Sequence, residues 1–335
     1  MGPCFRHDRP QAGRYRQFHQ FDCETLGERD PVIDAELIGV AYNFLRDLGI
    51  KAQVAVNSIG TLADRERYVI ELVGYLKSKR AGLSEESKKR LVRNPLRVLD
   101  SKEEQDQSII AEAPQILDWL SDESRNYFMK VLEYLDELEV PYLLQSTLVR
   151  GLDYYTDTVF EFFEENGEDK AQSALGGGGR YDLLVEQMGG RPTAACGFAL
   201  GLERIAAVLR RQEVALLPTD GSPPVPKKKG GIFFAQLGEQ ARRRALGQIE
   251  SLRRSGITLH HTLGKSSLKA QLELANKIGV THALILGQKE VQDGTIIIRD
   301  MESGIQEIVD QKKLASELTK MFRQSTGSLT VQMPS

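Results

Sequence analysis

Three cysteines in 335 residues, Cys4, Cys23 and Cys196, are too few and too scattered to build a disulfide framework or a zinc site. Each is expected as a small buried hydrophobe. The five histidines, His7, His19, His260, His261 and His282, also lack metal-ligand spacing, so no protein-built metal site is expected. No apolar run approaches the roughly 18 to 20 residues that span a bilayer, and no charged leader precedes an apolar one. A cytoplasmic protein with no membrane partner is the expectation. Ser/His/Asp and Cys/His constellations are missing. The phosphate-loop GK[ST] and the dinucleotide GxGxxG are missing where they would be needed.

What is present suits a globular chain of two or three domains, with 41% hydrophobic and 27% charged residues. The net charge of −3 hides an asymmetry: Lys227 to Arg323 carries 17 basic against 10 acidic residues, a surplus of +7 that leaves −10 elsewhere. A basic module on an acidic body points to a polyanionic partner or to a solvated basic surface. The boundary is "LLPTDGSPPVPKKKGG", whose prolines and lysines cannot build a core and form a linker over 216–230. Beyond it, strand and helix patterns alternate as βαβαβββ with a closing helix, a small α/β domain over 231–323, and the polar residues 324–335 form a disordered tail. Before the linker, residues 1–215 form an α+β body. Its strand-rich, Gly-rich segments Gly2 to Val56 and Tyr142 to Leu209 flank a helical insertion at about 65–142 that includes the amphipathic runs "SIIAEAPQILDWL" and "NYFMKVLEYLDEL".

Four stretches carry candidate chemistry. "FRHDRPQAGRYRQFHQFDCE" is expected to be a hairpin turned around Pro10 and Gly13. Its period of two lines up Arg14, Arg16, Phe18, Gln20, Asp22 and Glu24 on one face of the returning arm. Arginines in line with an amide and carboxylates suit a ligand anionic at one end and cationic at the other, a nucleotide among them; a solvated sheet face is the plain alternative. "LVRGLDYYTDTVFEFF" enters a strand through Arg150, Tyr154 and Tyr155, and extended backbone would send one tyrosine to the core and the other to a pocket. "LGGGGRYDLLVEQMGG" lets a ligand approach its glycines or forms a flexible hairpin, and leads through Arg180 and Tyr181 into a short helix. "ACGFALGLERIAAVLRRQ" is a strand, then Gly201, then a helix with Arg204 in its first turn, where a cation opposes the helix dipole unless an anion lies near.

In this order the four stretches resemble class II aminoacyl-tRNA synthetases of the histidine-specific family. The first is similar to that class's motif 2, "GFALGLERI" to motif 3, and "LVRGLDYYTDTVFEF" and "GGGGRYD" to the two histidine-specific motifs. The helical block resembles the family's insertion domain and the last module its anticodon-binding domain. The resemblance implies an antiparallel-sheet catalytic domain that joins histidine to its tRNA through histidyl-adenylate. ATP would be a substrate, Mg²⁺ would assist, and a homodimer would be the working form. It implies further that Arg6, Arg14 and Arg204 bind ATP, with Arg6 on the α-phosphate and Arg204 on the γ-phosphate. Gln20, Glu24, Tyr154, Tyr155 and Tyr181 would bind histidine, and Arg150, with Arg6, would stabilise charge at the reacting carboxylate and phosphate. In the basic module Lys227 to Lys229, Arg242 to Arg244, Arg253 and Arg254 would meet tRNA phosphates. The chain starts at motif 2, without the family's motif 1 segment. It is therefore expected to be a truncated product, an alternative or misassigned start or one part of a split enzyme, with exposed sheet edge and impaired adenylation on its own. Two other readings stand beside this: a non-catalytic paralogue regulating histidine biosynthesis, and a purely tRNA-binding module.

Overall fold

The computed structural model describes residues 1–7, 15–149, 154–165, 174–212, 231–264 and 267–326. It divides into two compact units, Met1–Leu217 and Pro218–Ser335. Among the described residues no helix is long and apolar enough to cross a membrane.

The first unit is built on a seven-stranded sheet of β1 (Gly2–Phe5), β2 (Gln17–Leu26), β3 (Ala52–Ser58), β4 (Tyr142–Leu144), β5 (Thr156–Glu164), β6 (Ala174–Arg180) and β7 (Ala195–Gly201). The spatial order is β1-β2-β7-β6-β5-β3-β4, antiparallel throughout except for the parallel β3–β4 pair. β1 and β2 pair antiparallel as the hairpin expectation requires, with Gly2 opposite Gln20 and Phe5 opposite Gln17, while the turn expected around Pro10 and Gly13 lies outside the described residues. β1 is an edge strand, and Phe5 on it is 73% exposed. The glycine run is no flexible hairpin. Gly176 to Gly179 lie in β6, a central strand, where a Cβ on Gly176 or Gly178 would stand 2.2 and 1.9 Å from carbonyl oxygens of β7.

Helix α1 (Pro31–Asp47) departs from the strand-rich reading of Gly2 to Val56. Its apolar run is too continuous for periodicity to separate a helix from a buried strand. The deciding signal is the cap, where Asp30 accepts from Val32 N at 3.0 Å and Pro31 opens the first turn. α1 buries Val32, Ile33, Leu37, Ile38 and Leu45 against one side of the sheet and packs beside α5 (Asp122–Glu137).

Between β3 and α5 lie α2 (Leu62–Ser78), α3 (Glu85–Arg93) and α4 (Glu104–Ala111). The run "SIIAEAPQILDWL" is not one helix: α4 stops at Ala111, before Pro114, and Ile116–Trp119 make a short 3₁₀ turn. Two buried aspartates pin these elements. Asp64 accepts from Thr61 N (3.0 Å), Ser121 N (3.0 Å) and Ser124 Oγ (2.6 Å). Asp106 accepts from Ser84 N (2.7 Å), Ser84 Oγ (2.8 Å), Ser101 Oγ (2.6 Å) and Ser87 Oγ. Burial acts to raise both carboxyls, and these hydrogen bonds outweigh it, leaving each below the usual carboxylate value. The apolar core of this block, Tyr68, Leu72, Leu76 and Ile116 among it, continues into Tyr155 and Val159. The unit is completed by α6 (Leu184–Gln187) and α7 (Leu202–Arg211).

The second unit has β8 (Ile232–Gln236), α8 (Glu239–Arg254), β9 (Leu259–His261), α9 (Leu268–Ile278), β10 (His282–Leu286), α10 (Gln288–Asp293), β11 (Thr295–Asp300), β12 (Gln306–Asp310) and α11 (Leu314–Thr326). Its sheet runs β12-β11-β10-β8-β9, parallel for β9, β8 and β10 and antiparallel for β11 and β12. A buried amide pair welds α9 to β8: Gln271 Nε2 donates to Gln236 O at 2.7 Å, and Gln236 N donates to Gln271 Oε1 at 3.0 Å. α11 runs through Thr326, into the stretch expected to be a disordered tail; the remainder of that stretch, and 216–230, lie outside the described residues.

Candidate active site

A cleft of about 620 Å³ lies on the sheet of the first unit. Its lining brings together Arg6, Gln20, Glu24, Tyr154, Tyr155, Tyr181 and Arg204, from five separate segments of chain. Arg14 and Arg150 lie outside the described residues.

The period-two face of β2 turns Phe18, Gln20, Asp22 and Glu24 into the cleft. Arg6 follows β1 and is held in place: its Nε donates to Tyr15 O at 3.0 Å and its guanidinium stacks 4.4 Å from the Phe18 ring centre. Gln20 Oε1 accepts from Cys4 Sγ at 3.3 Å, and Cys4 and Cys23 are half-buried while Cys196 is buried as expected.

Glu24 pairs across the sheet with Gly197 of β7, and its carboxylate lies directly over that residue. A Cβ there would stand 1.5 Å from Glu24 Oε2, so glycine is what makes room for the carboxylate. Tyr181 donates its phenol proton to the same oxygen. Burial pushes the Glu24 pKa up, the bond from Tyr181 draws it back, and the neighbouring Asp22 charge adds to the rise. Burial also pushes the Tyr181 phenol well above its usual value, so it is a donor at neutral pH.

Tyr155 is buried in the core of the helical block with an edge on the cleft, while Tyr154 is only half-buried and lines the cleft, in line with the expectation of one core and one pocket tyrosine. Extended backbone begins only at Thr156, and β5 is bulged between Thr156 and Val159 with Asp157 at φ 48°. Their rings stand 4.7 Å apart, with Tyr181 at 5.8 and 6.3 Å. Arg65 of α2 donates to Tyr155 O at 3.1 Å, tying the helical block to this aromatic wall.

Arg204 sits in the first turn of α7, as expected, and donates to Ala174 O. Its neighbour Glu203 supplies an anion to that helix end and accepts from His19 N (2.8 Å) and, at 2.9 Å, meets His19 Nδ1. Burial acts to raise Glu203, and the bonds from His19 outweigh it, so its pKa is lowered. Glu203, Glu161 and Gly197 line the cleft and were not singled out from the sequence. An acid within the apolar run "VFEFF" and an acid beside Arg204 were the available signals.

In the second unit Arg253 and Arg254 both clasp the buried Glu250, each at 2.9 Å, so its carboxylate offsets one of their two charges. Arg242 to Arg244 share helix α8 with them, and Lys227 to Lys229 lie outside the described residues.

Residues 1–205 match the family model described as Histidyl-tRNA synthetase, and 225–321 the model described as Anticodon binding domain. A protein of Thermosynechococcus vestitus named Histidine–tRNA ligase is 43% identical over 318 residues, covering 95% of this chain and 72% of that protein. The chain belongs to the histidyl-tRNA synthetase family. A Histidine–tRNA ligase of Aquifex aeolicus is 42% identical over 314 residues, covering 93% of this chain and 73% of that protein. Among solved structures, apo histidyl-tRNA synthetase of S. aureus is 30% identical with a TM-score of 0.50, covering 94% of this chain and 75% of that one. The class II synthetase fold, with an antiparallel sheet bearing the cleft and a separate anticodon-binding domain, is that of the family.

Proposed function

We infer that the chain is a histidine–tRNA ligase, converting histidine, ATP and tRNA to histidyl-tRNA, AMP and diphosphate through histidyl-adenylate. The observation that carries this is one cleft holding arginines for a triphosphate together with a carboxylate–phenol pair for an imidazole, in a chain of this family. In this reading a histidine carboxylate oxygen attacks the α-phosphorus, and the bond to the bridging oxygen breaks as diphosphate leaves with its electron pair. No protein nucleophile is needed; the residues orient the reactants and balance charge.

Arg6 binds the α-phosphate, with its aim set by Tyr15 O and the Phe18 ring. Arg204 binds the γ-phosphate, and Arg14 adds an ATP contact. Arg150 stabilises charge at the reacting carboxylate and phosphate. Glu24 takes an imidazole N–H on the carboxylate whose other oxygen is held by Tyr181, while Gln20 takes the amine or the ring and Tyr154 and Tyr155 wall the imidazole. A site that leaves a buried carboxylate unpaired rejects apolar isosteres strongly.

Mg²⁺ takes one or two carboxylates and completes its shell with phosphate oxygens and water. Among the described residues no cluster of three ligating side chains exists, and the cleft offers Glu161 and Glu203, a donor set that fits a metal held mainly by the triphosphate. Those two would hold it, and it would offset charge on the departing diphosphate. Residues 1–215 act as the catalytic core with its insertion, 216–230 as the linker and 231–323 as the tRNA-binding domain, in a cytoplasmic homodimer. The test is histidine-dependent exchange of diphosphate into ATP, with calorimetry of histidine and ATP binding. Exchange restricted to histidine is expected; a chain that binds tRNA with no response to either small molecule overturns the reading.

A further inference from the structure

Behind the sheet, on the side opposite the cleft, an arginine and an aspartate are buried together with no part in the lining. Arg180 and Asp34 are both 0% exposed. Arg180 Nε donates to Asp34 Oδ1 at 3.0 Å and Oδ2 at 3.3 Å, and Nη2 donates to Asp34 as well. Nη1 reaches Asp182 Oδ1 at 2.9 Å and Glu28 O at 3.3 Å, and the guanidinium lies 5.6 Å from the Tyr127 ring centre. All three guanidinium nitrogens donate to the surrounding oxygens.

A buried ion pair is weak evidence for stability, because desolvation offsets most of the attraction and well-packed apolar residues often do as well. What the fork supplies is fixed geometry. The position of Arg180 says what that geometry is for. It closes β6, and the next residue, Tyr181, projects to the opposite face and donates to Glu24. Beyond it Asp182 Oδ1, already held by Arg180, accepts Ala195 N at 3.0 Å, while Tyr181 N donates to Ala195 O at 2.7 Å. Tyr181 is therefore flanked by two residues locked to each other, to α1 and to β7.

We propose that Arg180 and Asp34 are positioning residues for amino-acid recognition: their ion pair fixes the end of β6 so that Tyr181 presents its phenol to Glu24. This rests on the reading of Glu24 and Tyr181 as histidine contacts. Neither partner touches substrate, and the arginine contacts proposed for ATP lie on other elements, so histidine and ATP binding separate.

The experiment compares the full chain with Arg180→Lys, which keeps the charge and loses the fork, and with the double variant Arg180→Met/Asp34→Leu, which removes both charges. Histidine and ATP affinities are measured by calorimetry and folding by thermal melting. Both variants are expected to weaken histidine about 10-fold, the loss of one charge-assisted hydrogen bond, and to leave ATP within about twofold. Parental histidine affinity in Arg180→Lys overturns the inference, as does an equal loss for both ligands. Should the double variant fail to fold, Arg180→Lys decides alone. Glu24→Gln is measured beside them. If it leaves histidine binding unchanged, or the parent chain binds none, the reading of the cleft falls and this inference with it; if it weakens histidine while Arg180→Lys does not, only the positioning role falls.

Discussion

Adding one methyl group at Gly197 should uncouple histidine recognition from the rest of the cleft. The Cβ of Gly197→Ala would be 1.5 Å from Glu24 Oε2 and 2.8 Å from Cys23 O, against 3.4 Å for ordinary contact. The carboxylate must therefore retreat by about 2 Å, far enough to break its bond with Tyr181, and the β2 backbone must also yield by about 0.6 Å at Cys23 O. A hydrogen bond to a charged group contributes about 1.5–3 kcal/mol, so histidine affinity should fall about 10- to 150-fold. Overpacking of the strand pair should cost about 1–3 kcal/mol of stability, visible as a lower melting temperature and not as unfolding. The assay is calorimetric titration with histidine and with ATP, repeated in a Glu24→Ala background. If the methyl acts through Glu24, it adds little once that carboxylate is gone. A folded Gly197→Ala chain with parental histidine affinity, or a full additional loss in the Glu24→Ala background, refutes the reasoning.

Asp106→Asn leaves one acceptor oxygen for four donors and should cost about 2–3 kcal/mol in urea unfolding at pH 7. Because the folded carboxyl is held below its usual value, its contribution is complete above the unfolded pKa and is lost as pH falls through the folded one; the variant should lack this acid loss. Asp157 behaves oppositely. Burial, against Arg29 and with Asp182, pushes its pKa up to about 6, so its contribution to stability is complete below the ordinary carboxyl value of 3.8 and is lost as pH rises through about 6. Asp157→Asn, at a left-handed φ that asparagine tolerates, should gain on the order of 2 kcal/mol at pH 7.5 and flatten that pH dependence of the urea midpoint. In tRNA binding, alanine at both Arg253 and Arg254 should lower the log–log salt slope by about one and not two, since the Glu250 carboxylate offsets one of their two charges.

Local pattern in the sequence determined much of this protein. Alternation along β2 set Gln20 and Glu24 on one face whatever the strand paired with, and the Gly201–Arg204 step set an arginine at a helix start, because both follow from backbone periods of two and 3.6 residues. The four ordered stretches sufficed for the family. α1 escaped because its apolar run hides its period, and the bulge that turns the chain at Asp157 is announced by no local residue. Only tertiary structure decided that Glu24 lies over Gly197 and that Arg180 meets Asp34, pairs far apart in the chain. Such partners are chosen by strand register and by how α1 seats on the sheet, which depend on the packing of the whole unit and leave no trace in spacing. For that reason the chemistry of the cleft could be read from its residues, while the geometry that aims them could not.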